Sequence, residues 1–305
     1  MSKKSVQDWL LSHSSHDKTT RSFNSLVRGK RNPKRAKTIS VTSGKGGVGK
    51  TSISLKLAKV LASFGYKVLV LDCDYNLSNT GLKLGLPLVD DFSLYLKGEK
   101  KLEECLYRDG NFHLLSAANG DFDIFDKGDG YSAEIIDILV SQERFYDFII
   151  TDSPAGLSRD CLTLNAYSDY RFVVVTPDKS SITDSYSLMK ILNKKYGIHS
   201  NHLILNKVSN KAQLTRIVKS LSETVENYLS CRLKFLGDIR YSELAVDKFD
   251  QFLFNEENSA LQKSFIKVLK RFSEEVEVDL LPESLGAYPN FGKLKEQDVQ
   301  TSSLS

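Results

Sequence analysis

Gly44-Lys45-Gly46-Gly47-Val48-Gly49-Lys50-Thr51 fits the pattern G-x-x-x-x-G-K-[ST] at every specified position. An apolar, β-branched run, Thr38-Ile39-Ser40-Val41-Thr42, precedes it, and a helical pattern from Ser52 to Phe64 follows. A strand, a glycine loop and a helix in that order place several backbone amides around one point at a helix N-terminus. Such a cradle binds phosphate anions. Within it Lys50 would neutralise β/γ-phosphate charge and the Thr51 hydroxyl would ligate Mg²⁺. Gly44, Gly46, Gly47, Val48, Gly49 and Ser52 complete the expected nucleotide contacts. The second lysine, Lys45, is not required by an ordinary phosphate loop.

Working outward, short apolar or β-branched runs fall at 38–42, 67–72, 112–116, 148–152, 171–176, 202–206 and 234–236. Helical patterns lie between or after them, near 52–64, 131–144, 159–167, 180–196, 211–230 and 258–272. Continuous runs such as Val68-Leu69-Val70-Leu71 and Phe172-Val173-Val174-Val175 suit strands covered on both faces. The alternation predicts an α/β fold, a doubly wound and mainly parallel sheet with right-handed crossovers and helices on both faces. Ligands then bind at the carboxyl ends of the strands, where loop 44–51, Asp74 and Asp152 all fall. Residues 84–111 and 117–130, irregular and rich in Gly and Asp, read as surface insertions.

The chain has 305 residues, 41% of them hydrophobic, enough for one large α/β domain with tails. No run approaches 18 consecutive apolar residues, so no transmembrane helix is expected, and the N-terminus lacks an apolar signal region. Cys73, Cys105, Cys161 and Cys231 are scattered without a C-x-x-C pair, which argues against disulfides and zinc and fits a reducing cytoplasm. Cys161 reads as an inert small residue. The net charge of +4 hides an asymmetry. Residues 1–37 hold ten lysines and arginines against Asp8 and Asp17, whereas 273–305 hold seven acids and two lysines. The organisation read from this is a basic, flexible arm (1–37), a domain that carries the phosphate loop (38–272) and an acidic, disordered tail (273–305).

Lys45-Gly46-Gly47-Val48-Gly49-Lys50-Thr51 resembles the deviant Walker A motif of the MinD/ParA/FlhG group of P-loop ATPases, of the SIMIBI type. Leu71-Asp72-Cys73-Asp74 is similar to that group's first switch. Asp152-Ser153-Pro154-Ala155-Gly156 is similar to the second switch of MinD. Asn206 matches a position that reads adenine in relatives, and Gly237-Asp238-Ile239 resembles the loop flanking the base. The resemblance implies a slow ATPase using ATP and Mg²⁺. Lys45 would reach across an ATP-dependent homodimer to the partner's nucleotide, and Asp74 would position or deprotonate the attacking water. Thr51 with Asp152 would hold the metal, and the Gly156 amide would sense the γ-phosphate. Asp72 reads either as a supporting residue of the site or as structural.

For cellular role, an FlhG- or MinD-like regulator of flagellar number, flagellar placement or the division site is the first reading. A ParA-like partition ATPase binding nonspecific DNA is the alternative. A regulatory protein partner, GTPase- or activator-like, goes with the first, and a cytoplasmic location with it, including a peripheral place at the inner membrane or a cell pole. Leu261, Phe265, Leu269 and Phe272 form a stripe with Lys263, Lys267, Lys270 and Arg271 beside it. This reads as the last packing helix of the domain or as an amphipathic membrane helix. The acids after it, Glu274, Glu275, Glu277 and Asp279, weaken the case for an autonomous anchor. Trp9-Leu10-Leu11 reads as a docking helix or as a segment packed on the domain. The basic run 28–35 reads as a solvated linker, or as a grip for nucleic acid or lipid head groups.

Overall fold

The computed structural model describes residues 35–74, 80–87, 91–117, 132–243, 246–255 and 260–276. Eight strands form one sheet: β1 (Lys37–Thr42), β2 (Val68–Asp72), β3 (Tyr107–Asp109), β4 (Phe112–Leu115), β5 (Phe148–Asp152), β6 (Tyr170–Val175), β7 (Ser200–Val208) and β8 (Arg232–Arg240). Their order is β3-β4-β2-β5-β1-β6-β7-β8, parallel except for the antiparallel edge strand β3. The helices are α1 (Lys50–Ser63), α2 (Thr80–Lys83), α3 (Asp91–Leu96), α4 (Ser132–Gln142), α5 (Arg159–Tyr167), α6 (Lys179–Tyr196), α7 (Lys211–Leu229), α8 (Val246–Asn255) and α9 (Ala260–Val276).

The period-two geometry of a strand sends successive side chains to opposite faces, and both faces here are covered. Leu69, Leu71 and Ile149 pack with Ile135 and Leu139 of α4 and Leu188 and Leu192 of α6. Val68, Val70 and Ile150 turn the other way, towards Ile53, Leu57 and Leu61 of α1 and Phe265, Leu269 and Phe272 of α9. A third cluster joins Val173, Val175, Leu203 and Leu205 to Ile217, Leu221 and Val225 of α7. This is the expected doubly wound architecture. β1 sits between β5 and β6, so its carboxyl end opens where the strand order reverses, the crevice in which such sheets bind ligands.

Several boundaries differ from expectation. Residues 84–111 are not merely a surface insertion. They supply α3 and β3, and Phe92, Leu102 and Cys105 enter the core. The described start of the fold precedes residue 38: the Ala36 amide donates to the Glu143 carbonyl at 2.8 Å, and Arg35 pairs with Glu143 at 2.8 Å. At the other end α9 continues to Val276, where Glu275 pairs with Lys234 and, at 3.5 Å, with Arg232 of β8. Residues 1–34, with Trp9-Leu10-Leu11 and most of the basic run, lie outside the described residues, as do 118–131 and the tail from 277.

The apolar stripe of α9 is core. Phe265, Leu269 and Phe272 are buried, and the Phe272 ring stands edge-on to Tyr170, Phe172 and His202 at 4.8, 5.0 and 5.7 Å. None of the described helices is long and apolar enough to cross a membrane.

His202 in this aromatic nest has its pKa lowered to about 4, by burial first and then by the Arg171 charge. Its unfolded counterpart binds a proton nearer pH 6.5, so stability falls as pH drops from about 6.5 towards 4. We predict that His202→Leu flattens this limb relative to the wild type in urea titrations across that range. Phe272→Ala should cost about 3–5 kcal/mol in the same measurement at neutral pH.

Candidate functional site

The loop between β1 and α1 is shaped by glycines at two points. A Cβ on Gly44 would lie 2.1 Å from the Asp184 carbonyl carbon, so the backbone of α6 passes directly against the loop. Gly49, at φ +95°, begins α1, and a Cβ there would lie 2.5 Å from Asn206 Nδ2. Helices α5, α6 and α7 start on side-chain caps: Ser158, Asp178 and Asn210. Helix α1 has no such cap, which leaves its first-turn amides without a capping side chain and suited to an anion.

Three acids gather beside this loop. Asp72 and Asp152 are paired in register at the ends of β2 and β5, 3% and 1% exposed. Asp152 accepts hydrogen bonds from Thr51 and, at 3.0 Å, from Ser54 of α1. Burial pushes its pKa up, the neighbouring Asp72 adds to this, and the Thr51 hydrogen bond and the Lys50 charge oppose it. Asp72 accepts from the Asp74 amide at 3.0 Å and from the Thr80 hydroxyl at 2.7 Å. Its two oxygens therefore fix both ends of the chain segment that carries Asp74. Hard oxygen donors from Thr51 and Asp152 suit Mg²⁺, which needs few protein ligands and keeps waters and substrate phosphates for the rest. The donor set therefore fits the metal that the sequence suggests, although among the described residues no three acids, histidines or cysteines cluster as a ligand set of their own.

Of the expected residues outside the run Gly44, Lys45, Gly46, Gly47, Val48, Gly49, Lys50, Thr51 and Ser52, the structure ties Asp152 to Thr51, Asn206 to Val48 and Gly156 to the end of β1, while Asp74 is joined to them through Asp72. The Gly156 amide donates to the Ser43 carbonyl at 3.1 Å, which ties the second switch to the end of β1. Asn206 donates through Nδ2 to the Val48 carbonyl at 2.7 Å. Gly237 lies within β8, paired with Ile204 of β7, and a Cβ there would meet Val268 Cγ2 of α9 at 2.7 Å, so the packing of α9 also favours glycine at this position. Cys161 is buried 3.7 Å from Thr42 Oγ1, and burial pushes its thiol up to about 11. It stays a neutral small residue there.

Three partners were not legible beforehand. Lys45 Nζ is held within its own chain, 3.0 Å from Asp178 Oδ1 and 2.6 Å from Ser180 Oγ. Hydrogen bonds from Thr176, Ser180 and the Ser181 amide keep the Asp178 carboxyl far below its usual range. Asp250 of α8 accepts from Lys83 Nζ at 2.8 Å and from Ser52 Oγ at 3.4 Å, joining α2 to the first turn of α1. Lys207 Nζ donates to the Gly47 carbonyl at 3.0 Å. The Asp-Lys-Ser-Ser wording before α6 signals an N-cap at Asp178, but nothing local signals its lysine partner 133 residues away.

With this geometry in place, comparison with known proteins is decisive. Residues 39–251, more than half of the chain, match the CobQ/CobB/MinD/ParA nucleotide binding domain. The chain belongs to that family. It is 29% identical to the antiactivator FleN of Pseudomonas aeruginosa over 206 residues, covering 67% of this chain and 74% of FleN. With the flagellum site-determining protein YlxH of Helicobacter pylori it shares 35% identity over 213 residues, 68% of this chain and 71% of YlxH. Among solved structures, the septum site-determining protein MinD from Pyrococcus horikoshii, complexed with Mg-ADP, superposes with a TM-score of 0.65. It is 25% identical and covers 79% of this chain and 97% of its own.

Because a Cβ at Gly44 would collide with the backbone of α6 rather than with a movable side chain, Gly44→Ala should displace the loop. We expect at least about a tenfold loss of ATP affinity with a lowered melting temperature, read by calorimetry and thermal denaturation.

Proposed function

We propose that the protein is an ATP-driven, dimerising switch that governs placement, of flagella first and of the division site second. It is an ATPase of the MinD/ParA group. The observation that carries the reading is the two-lysine loop whose Thr51, with Ser54 of α1, bonds the buried Asp152, in a chain related to FleN and YlxH.

In this reading the loop amides and Lys50 hold the β- and γ-phosphates, and Thr51 with Asp152 holds Mg²⁺. Bound magnesium neutralises phosphate charge as it builds on the leaving oxygens. Asp74 orients or deprotonates the attacking water, while Asp72 keeps the Asp74 segment in place through its amide and through Thr80. Asn206 reads adenine, and the Gly156 amide exchanges its Ser43 partner for the γ-phosphate, so that loss of phosphate relaxes the second switch. Lys45 completes the site of the opposite subunit, which requires it to exchange Asp178 and Ser180 for the partner's phosphate oxygens. ATP then favours the dimer, and hydrolysis releases it.

The switch surfaces are read by a regulatory protein partner of GTPase or activator type. The apolar stripe of α9 is used in the core, so a place at a cell pole or on the inner membrane would not come from that stripe. The alternative, a partition ATPase gripping nonspecific DNA, is not favoured by the relatives reported above. It would require ATP-dependent, salt-sensitive retention on DNA.

Two variants test this reading. Lys45→Ala should bind ATP within about threefold of wild type yet lose turnover by on the order of 100-fold, together with the dimer. Asp74→Ala loaded with ATP should run as a trapped dimer on size exclusion. A monomer under saturating ATP contradicts the mechanism.

A further inference from the structure

Strand β7 shifts register against β8 twice, between Leu203 and Ile204 and again between Leu205 and Val208. The second shift is the one beside the loop. Asn206 and Lys207 occupy the irregularity, a device that commonly re-aims side chains beside functional sites. Lys207 is held at φ +58°; among the described residues only Ser230 is the other non-glycine at positive φ. A side chain stays in that left-handed region when its surroundings enforce it. Here the Lys207 amide donates to Asn206 Oδ1 at 2.9 Å, and its Nζ donates to the Gly47 carbonyl at 3.0 Å. Asn206 Nδ2 reaches the next carbonyl, that of Val48, at 2.7 Å. Two successive residues of β7 thus grip two successive carbonyls of the phosphate loop.

In a trans peptide the C=O and the N–H of one unit point in opposite directions. Holding the Gly47 and Val48 carbonyls towards β7 therefore turns the Val48 and Gly49 amides to the other side of the loop, away from the strand. We propose that Lys207 is a positioning residue for the phosphate loop: its ammonium fixes the Gly47–Val48 peptide so that the Val48 amide faces the nucleotide phosphates. The left-handed backbone at 207 accompanies the arrangement in which consecutive residues of β7 both reach the loop, Asn206 at Val48 and Lys207 at Gly47. The proposal rests on the reading of loop 44–51 as the nucleotide site.

The test is equilibrium titration of Mg-ATP onto the full chain, with steady-state kinetics and melting curves, for Lys207→Met, Lys207→Gly, Lys207→Arg and Lys50→Ala. Lys207→Met and Lys207→Gly should each weaken ATP binding by about five- to tenfold, the loss falling on KM more than on kcat. Lys207→Arg should restore most of the affinity. Lys207→Gly should melt no lower than wild type, because glycine adopts the left-handed backbone freely, so its weaker binding is not a folding defect. Wild-type ATP affinity in Lys207→Gly, with binding lost in Lys50→Ala, overturns the proposal and leaves the loop reading intact. Lost affinity together with a lowered melting temperature, unrescued by arginine, also overturns it. Wild-type binding in Lys50→Ala removes the loop reading itself, and the proposal with it.

Discussion

Two carboxylates forced side by side and shut away from water set the terms for the rest of the molecule. Asp72 and Asp152 end adjacent parallel strands in register, so the sheet itself decides their separation. Burying like charges this way is costly unless hydrogen bonds and positive charge offset it. Thr51, Ser54 and Thr80 supply hydrogen bonds, and Lys50, 9% exposed, supplies charge from the first residue of α1. The remaining deficit is what a magnesium nucleotide is suited to fill. The phosphate loop, the first turn of α1 and both acidic strand ends are thus parts of one electrostatic arrangement.

Around that centre the fold arranges contacts that connect the loop to distant elements. Gly44 lies against the backbone of α6, whose N-cap Asp178 holds Lys45. Gly156 reaches back to Ser43, and Asp250 joins α8 and α2 to α1. Each contact ties a separate segment of the fold to the phosphate loop, to the end of β1 or to the first turn of α1. Such discrete hydrogen-bonded links, rather than gradual deformation of a packed core, are what a two-state switch needs.

Much of this was legible in the amino-acid order for physical reasons. Continuous apolar runs in β2 and β6 announce strands buried on both faces, and the glycine–lysine spacing announces the phosphate loop. What escaped notice lacked those signals. Strand β3 is three exposed residues, Tyr107–Asp109, held by pairing with β4 rather than by burial. Strands β7 and β8 run past their apolar centres because polar residues such as Asn201 and Lys207 continue the strands. Helix α8 had no recognised pattern of its own, yet it carries Asp250 into the site. Lys45, Asp178 and Ser180 meet only through the tertiary fold, as do Lys207 and Gly47, so no local spacing could reveal either contact.

The central claim is that this pocket of buried acids and loop amides is completed by a magnesium nucleotide. Calorimetric titration of the full chain with ATP, in excess magnesium and then in chelator, addresses it most directly. The account predicts one ATP per chain, bound at least about tenfold more tightly with the metal present. Absence of ATP binding at every magnesium concentration would contradict it.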